Sequence, residues 1–387
     1  MLIISFDAIG DDEFDELKKY PAVASFIRKA SVHRDVSSIF VSNTYPVHTS
    51  VATGVTPDKH GISSNTEPFP SRNQKWVTCE KSIRSKTIWQ AAKDKGMKTA
   101  AVLWPVTSYS KSLDYNIPEE HISPGRSQVV ANLRAGSAML QLKMFLKYHK
   151  LIAGTDEPHL SNFSAACMAD ILRNNKPDLA LVHLITYDSF CHKYGRGESK
   201  LKEAYEALDR NLALLLDAAG DNRDIIIFSD HSQINVHTAI TPNQILVETG
   251  LLSYDKDEYN IGESGCFIEC CGGSAFFHAG VLSSDKISEV RGKISLTEGF
   301  NRFLTADELS VSGYHHAAFG FSAKSGYCFE GHPSSHKATH GYPLDMPDYK
   351  VFYMVRGDGF TPGTAYGGSL LEIAPLVAKR LGLKWEG

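Results

Sequence analysis

The sequence predicts a three-layer α/β fold, with a mostly parallel central sheet, helices on both faces and an inserted cap. Two observations predict it. Short apolar runs alternate along the chain with longer amphipathic segments, and polar residues directly follow several of the apolar runs. In sheets built this way, polar groups gather at the carboxyl ends of the strands. A chain of 387 residues has room for one large domain with a substantial insertion.

The predicted elements cover most of the chain. The first strand is the apolar run from Leu2 to Phe6, which ends at Asp7. The other predicted strands are 98–103, 179–185, 224–228 and 350–355. The predicted helices are 12–29, 85–95, 161–174, 200–219 and 369–381.

Two stretches interrupt this alternation. Residues 251–335 contain many glycine, serine and aromatic residues in short segments, and we interpret them as an inserted cap that selects the substrate. The metal-binding catalytic core then comprises residues 1–250 and 336–387. A second irregular stretch, 105–157, is a candidate for a further lid segment.

Composition argues against several partners and locations. The formal net charge of -4 provides no broad basic surface for a nucleic-acid polymer or an acidic membrane. No apolar run is long enough to span a bilayer, and the first residues enter a predicted strand directly, so we expect neither a membrane anchor nor a signal peptide. The oligomeric state has no signature in the sequence.

The cysteines indicate a reducing environment. The chain has 7 of them, with Cys270 and Cys271 adjacent, and they form no regular disulfide framework. We therefore expect free thiols and a cytoplasmic location. A metal cluster of Cys266, Cys270 and Cys271 is the less favoured alternative, because C-x3-C-C spacing has no established ligand geometry.

Acidic and histidine side chains follow three of the predicted strands. Asp7 ends the first strand, Asp188 and His192 form a D-x3-H pair after the third, and Asp230 and His231 follow the fourth. These groups can converge at one edge of the sheet, and an Asp and a His four residues apart can reach one metal ion. Taken singly, each pair also has a structural explanation, as a solvated loop or a helix N-cap with an incidental histidine.

A late histidine is a candidate for completing a metal site. His340 precedes a glycine just ahead of the last predicted strand. His332 and His336 compete with it, and spacing alone does not choose among the three.

Thr44 is the candidate nucleophile. Its hydroxyl lies at a predicted loop-to-helix junction, where helix-end N–H groups favour negative charge. Metal coordination can make such a hydroxyl nucleophilic at neutral pH. The alternative is that Thr44 serves as the N-cap of a helix whose first turn contains Pro46.

Together, these residues resemble the alkaline phosphatase superfamily, and particularly its type I phosphodiesterase/nucleotide pyrophosphatase branch. The shared order is an Asp at the first strand, a Thr nucleophile, D-x3-H, D-H and a late H-G. The family's threonine segment runs on through T-G, P-x-x-H-G-I and an Asn, matched here by Thr53-Gly54, Pro57 to Ile62 and Asn65. The resemblance covers nearly the whole chain, is weakest in 105–157 and in the cap, and implies an alkaline phosphatase-like fold.

The resemblance also implies roles for individual residues. One metal site would use Asp188, His192 and His340, and the other Asp7, Asp230, His231 and Thr44. Asn65 would donate a hydrogen bond to a phosphate oxygen. Tyr45 would stack on the leaving group, with packing at the helix start as the alternative. Trp104, which follows a predicted strand, is a further candidate wall of the substrate pocket, with core packing as the favoured alternative. Oxygen and nitrogen ligands without thiolate favour two zinc ions, with manganese or iron as alternatives.

The implied activity is hydrolysis of a small phosphate ester or nucleotide, most simply as a phosphodiesterase or nucleotide pyrophosphatase acting through a phosphothreonine on Thr44. Two departures bear on the subfamily: Val47 replaces the usual Asn, and Ser232-Gln233 replaces the common Gly after Asp-His. A phosphomonoesterase or phosphonate hydrolase is the alternative on the same scaffold, although the lack of an Arg beside the motifs favours diesters. A catalytically silent metal-binding protein is the alternative of another class.

Overall fold

The computed structural model describes residues 1–68, 74–121, 127–152, 156–256, 258–332 and 335–385. Its strands are β1 (Leu2–Phe6), β2 (Ser31–Val36), β3 (Thr99–Val102), β4 (Tyr115–Ile117), β5 (Leu179–Leu184), β6 (Ile225–Phe228), β7 (Ile234–Ile240), β8 (Ser253–Asp255), β9 (Glu258–Asn260), β10 (Phe267–Cys270), β11 (Ser274–His278), β12 (Phe300–Phe303), β13 (Phe319–Ala323), β14 (Gly326–Phe329), β15 (Ala338–Thr339), β16 (Val351–Arg356) and β17 (Gly363–Tyr366). Its α-helices are α1 (Phe14–Leu17), α2 (Pro21–Ile27), α3 (Thr44–Thr53), α4 (Pro57–His60), α5 (Ile88–Asp94), α6 (Gln128–Ala135), α7 (Ala138–Tyr148), α8 (His159–Asn174), α9 (Thr186–Tyr194), α10 (Leu201–Ala219), α11 (Asn243–Glu248), α12 (Ser284–Ser295), α13 (Ala306–Val311) and α14 (Ile373–Leu381).

The central sheet has eight strands in the order β17-β2-β16-β6-β1-β5-β3-β4. Every neighbouring pair is parallel except the two that involve β16, which runs antiparallel to β2 and β6. The predicted mostly parallel sheet is thus confirmed. β1 lies between β5 and β6, so the ends of these three strands are neighbours in space.

Helices cover both faces of this sheet. Along β1, Leu2, Ile4 and Phe6 pack on one face against helices that include α2, α8 and α10, whereas Ile3 packs on the other face with α3, α5 and α14. This alternation follows from the two-residue period of a strand, and it produces the predicted three layers.

The long helix predicted at 12–29 is wrong. The segment folds as a short 3₁₀ turn followed by α1 and α2, which are separated before Pro21. Tyr20 has extended backbone angles (φ -81°, ψ 136°), as expected for a residue that precedes proline, and Pro21 then begins the next helix. Among the described residues, no helix combines the length and apolar character needed to cross a membrane.

The region predicted as a cap contains a separate antiparallel sheet, in the order β10-β11-β13-β12. Its hydrophobic cluster also includes Ile234 and Leu246, so the packing of this region begins before the predicted boundary at 251. The stretch 105–157 contributes the edge strand β4 and the helices α6 and α7.

A small three-stranded sheet links this second region to the core. Its order is β14-β7-β15, with Ala338 opposite Asn235 and Thr339 opposite Ile234. Because β7 begins just after Asp230 and His231, this pairing places the segment that contains His340 beside them.

Candidate active site

Three buried or half-buried carboxylates converge at one edge of the central sheet. Asp7 follows β1, Asp188 lies in the first turn of α9 after β5, and Asp230 follows β6. Asp7 and Asp230 are buried, and the side chain of Asp188 is 17% exposed. Among the described residues, two sets of ligand-type atoms lie within 4.8 Å of one another, namely Asp7, Asp230 and His231, and Asp188, His231 and His340.

Oxygen atoms surround the Nε2 atom of His231. This nitrogen lies 3.4 Å from Asp7 Oδ1, 3.3 Å from Asp230 Oδ2 and 3.4 Å from Thr44 Oγ1. Ligand atoms bound at about 2.0–2.1 Å to a tetrahedral zinc ion are themselves about 3.3 Å apart. The four residues that the sequence groups as one metal site are therefore spaced as such a site requires.

Each buried carboxylate of this group has one oxygen that makes no hydrogen bond with the described residues. Asp230 Oδ1 accepts hydrogen bonds from the N–H groups of Ala8 (3.0 Å) and His231 (2.9 Å), while Oδ2 has no hydrogen-bond partner in the described part of the chain. Asp7 Oδ2 lies 2.8 Å from His183 Nε2, and Asp7 Oδ1 likewise has no hydrogen-bond partner among the described residues. Buried polar atoms are seldom left unpaired, so these two oxygens indicate a bound cation.

The electrostatics of the site also favour cations. Burial raises the pKa of Asp7 well above its ordinary value, and the nearby carboxylates of Asp230 and Asp188 raise it further. Among the described residues, only histidines come within ion-pair distance of these three carboxylates. Divalent ions would neutralise the three charges, so the donor set fits them.

In the metal site predicted from Asp188, His192 and His340, hydrogen bonds from the outward ring nitrogens hold both histidines. Among the described residues, the ligand-type atoms grouped with those of Asp188 and His340 come from His231, and His192 lies beside this group. His192 Nε2 lies 3.3 Å from Asp188 Oδ1, and its Nδ1 donates to Ala338 O at 2.8 Å. His340 Nδ1 donates to Asn43 Oδ1 at 2.8 Å. Each ring can therefore present its Nε2 to a metal, an arrangement common around metal-bound histidines.

The protonation states agree with this role. Burial lowers the pKa of His340 well below its ordinary value, and His231 and His192 lower it further, so the ring is neutral as a ligand must be. Burial would raise the pKa of Asp188, but the neighbouring histidines, His192 foremost with His340 and His231, together lower it. The structure thus selects His340 over His336, whose side chain is 49% exposed, and over His332, which lies near Tyr259.

Thr44 is the first residue of α3, and the N-cap position belongs to Asn43. The Asn43 side chain makes no capping hydrogen bond, because its oxygen accepts from His340 instead. The next N–H of the helix, that of Tyr45, donates to Asn65 Oδ1 at 2.9 Å. This contact makes Asn65 Oδ1 the acceptor and leaves the N–H₂ group as the donor end of the amide.

Two predicted pocket residues are buried. Trp104 is fully buried beside His48 and Phe228, which agrees with the core-packing alternative. Tyr45 is 1% exposed, and its ring centroid lies 5.3 Å from that of Trp76, so it is packed at the start of α3. Their roles in substrate binding stay predictions.

Three residues at the site were missed by the sequence reasoning as contributors. Asn43 fixes His340, His183 contacts Asp7, and the side chain of Gln233 donates to Asp188. A histidine within the otherwise apolar strand β5 is the signal that could have identified His183. Asn43 and Gln233 carry no such signal, because their partners lie far away in sequence.

Comparison with known proteins agrees with this geometry. The family model described as type I phosphodiesterase / nucleotide pyrophosphatase matches residues 1–293. The chain belongs to this family. It is therefore a metal-dependent enzyme that hydrolyses phosphoric esters. The family is a two-metal-ion class, and the two groups of ligand-type residues described above could hold such ions.

Relatives match along nearly the whole chain. Bis(5'-adenosyl)-triphosphatase ENPP4 from Homo sapiens is 22% identical over an alignment of 422 residues, gaps included. The alignment covers 99% of this chain and 78% of that protein. A solved structure of murine ectonucleotide pyrophosphatase / phosphodiesterase 5 matches with a TM-score of 0.73 at 15% identity, covering 100% of this chain and 96% of that one. A second murine structure, an inactive threonine-to-alanine variant in complex with AMP, matches with a TM-score of 0.71 at 15% identity, with the same coverage of both chains. These matches confirm the predicted alkaline phosphatase-like fold.

Proposed function

We propose that this enzyme cleaves phosphodiester or pyrophosphate bonds of a nucleotide-type substrate by nucleophilic attack of Thr44, with two zinc ions as cofactors. One observation supports this most directly. The Thr44 hydroxyl, at the start of a buried helix, lies 3.4 Å from His231 Nε2. The same nitrogen lies 3.4 Å from Asp7 Oδ1 and 3.3 Å from Asp230 Oδ2, the two oxygens without a hydrogen-bond partner among the described residues.

The residues suggest a two-step displacement. When bound, the two ions would lower the pKa of the Thr44 hydroxyl and neutralise charge on the phosphoryl oxygens. The bond between Thr44 Oγ1 and phosphorus forms as the bond from phosphorus to the leaving oxygen breaks. The Asn65 amide donates to a phosphoryl oxygen during this step. Water then hydrolyses the phosphothreonine ester and restores the hydroxyl.

Charge around the site favours diesters. A phosphomonoester carries an additional negative charge, and enzymes that prefer such substrates usually supply extra cationic contacts. Among the described residues, no lysine or arginine pairs with Asp7, Asp188 or Asp230. The names of the relatives, a bis(5'-adenosyl)-triphosphatase and a phosphodiesterase solved with AMP, also favour a nucleotide linked through a diester or pyrophosphate. We infer that the inserted cap selects the leaving group.

A substrate panel on a matched pair of variants tests the proposal. Thr44→Ala should lower kcat by at least about 10³-fold toward an aryl phosphodiester and a dinucleoside triphosphate, while retaining both ions. Thr49→Ala is the control, because Thr49 lies buried in the same helix and its hydroxyl makes no hydrogen bond with the described residues. An aryl phosphomonoester and an aryl phosphonate complete the panel. Substantial turnover by Thr44→Ala would exclude it as the nucleophile, and a metal-loaded wild-type enzyme inert toward every substrate would favour the silent metal-binding alternative.

Zinc is the proposed metal because the donors are oxygen and nitrogen atoms, and those around His231 lie 3.3–3.4 Å from its Nε2, as ligands of a tetrahedral zinc ion do. Metal-free enzyme reconstituted separately with zinc, manganese and iron should recover most activity with zinc. All seven cysteines are free thiols. The cytoplasmic location expected from them stays a prediction, which fractionation of the source cells would test.

A further inference from the structure

Gln233 lies two residues after the Asp-His pair of Asp230 and His231. The side chain of Gln233 is fully buried in the loop between β6 and β7, which also carries Asp230 and His231. A buried amide is costly unless its groups are hydrogen-bonded, so its retention beside the metal centre requires a physical reason.

The amide of Gln233 is directed at one metal ligand. Its Nε2 donates to Asp188 Oδ1 at 2.5 Å and lies 3.3 Å from the main-chain oxygen of Asp188. Both partners are acceptors only, which settles that the N–H₂ end of the amide faces them. The other end, Gln233 Oε1, is buried without a hydrogen-bond partner among the described residues. The side chain is thus arranged for Asp188 alone.

The main chain of Gln233 is held as well. Arg196, just beyond the end of α9, donates from Nη1 to Gln233 O at 2.8 Å. The same guanidinium lies 2.6 Å from an oxygen of Asp12 and 3.1 Å from one of Glu13. Because α9 carries both Asp188 and His192, Arg196 and Gln233 together tie this helix to the Asp-His loop.

We propose that Gln233 is a positioning residue for Asp188, and that its neutral amide fixes the orientation of this carboxylate toward the ion that Asp188 shares with His192 and His340. A lysine or arginine in its place would hold the carboxylate equally well but would cancel the charge that attracts the cation. An amide donor orients Asp188 and leaves its negative charge intact. This inference rests on the metal site of the proposed function.

Zinc titration of the metal-free, full-length protein against a competing chelator tests the proposal without any measurement of turnover. Asp188→Asn first identifies which of the two dissociation constants belongs to the site that contains Asp188. Gln233→Met should raise the dissociation constant of that site about 10–100-fold and change the dissociation constant of the other site by less than about threefold. The matched control is Gln141→Met, which removes another buried glutamine amide that donates to a carbonyl, Asn132 O, far from the centre in sequence.

The proposal is overturned if Gln233→Met and Gln141→Met have equal zinc dissociation constants. It is also overturned if Gln233→Met weakens the binding of both zinc ions equally. If Gln233→Met does not fold, Gln233→Asn, whose shorter side chain withdraws the amide from Asp188, is judged by the same two constants. Failure of the proposed function is distinguishable from these outcomes, because wild-type protein that binds two zinc ions without hydrolysing the panel refutes the chemistry and leaves the titration valid.

Discussion

Gly341 directly follows the metal ligand His340 and lies against the turn of the inserted region between β10 and β11. A Cβ atom at Gly341 would be 1.8 Å from Cys271 O and 2.9 Å from Asn43 Oδ1. The same turn also makes a hydrogen bond to the residue that carries the ligand, since the Gly273 N–H donates to His340 O at 2.8 Å. Gly341→Ala should therefore displace His340, even though it removes no ligand.

The magnitude follows from two contributions. Gly341 has φ +82°, a left-handed conformation that costs an alanine about 1–2 kcal/mol. Carbon and oxygen atoms ordinarily approach no closer than about 3.3 Å, so the backbone must open by about 1.5 Å, at an overpacking cost of about 1–3 kcal/mol. We expect a total loss in the free energy of unfolding of about 2–5 kcal/mol, together with weaker binding of the ion that His340 would hold.

Gly96→Ala is the matched control for the conformational contribution. Gly96 has a similar φ of +79° and no atom within 4 Å of a Cβ, so it carries the backbone cost without the clash. Urea unfolding and elemental analysis of metal content should be compared for both variants. If Gly341→Ala matches Gly96→Ala in stability and retains both ions, the contact between the inserted region and His340 does not position the ligand.

Three further predictions concern the same region. Asn43→Leu removes the acceptor for His340 Nδ1 and should weaken zinc binding about 10–100-fold, measured by titration of the metal-free variant; unchanged affinity would show that the hydrogen bond does not orient the ring. Removing the ions with a chelator should lower the thermal midpoint, because the carboxylates of Asp7 and Asp230 then face each other without a cation, and adding zinc should restore it; a midpoint unaffected by chelation would contradict the charge argument. Burial lowers the pKa of His60 to about 3, whereas the unfolded chain takes up this proton near pH 6.5. The folded state therefore loses stability as the pH falls from about 6.5 toward 3, by at most about 1.4 kcal/mol per pH unit from this residue. The urea midpoint should decrease less between pH 7 and pH 5 for His60→Gln than for the wild type. An equal decrease in both proteins would exclude His60 as a source of the acid sensitivity.

Much of the site could be predicted from the sequence because its ligands follow strand ends. Asp7, Asp188 and Asp230 each come after an apolar run, and the carboxyl ends of neighbouring parallel strands meet at one edge of the sheet. The order of the motifs then selected the family, which the match over residues 1–293 confirms. Local pattern was less reliable where proline intervened, as in the helix predicted at 12–29, and it could not show that the side chains of Tyr45 and Trp104 are buried.

The sequence by itself determined the strand-and-helix alternation and the acidic groups at the strand ends, because each depends on residues close together in the chain. The resemblance to the family then named Thr44 and His340. Only the tertiary structure shows how His340 reaches the other ligands, since its segment arrives through the pairing of β15 with β7 rather than through any local pattern. The same holds for Asn43 and Gln233, whose hydrogen bonds reach His340 and Asp188, 297 and 45 residues away. Such contacts depend on how distant segments pack, and no periodicity or spacing within either segment encodes them.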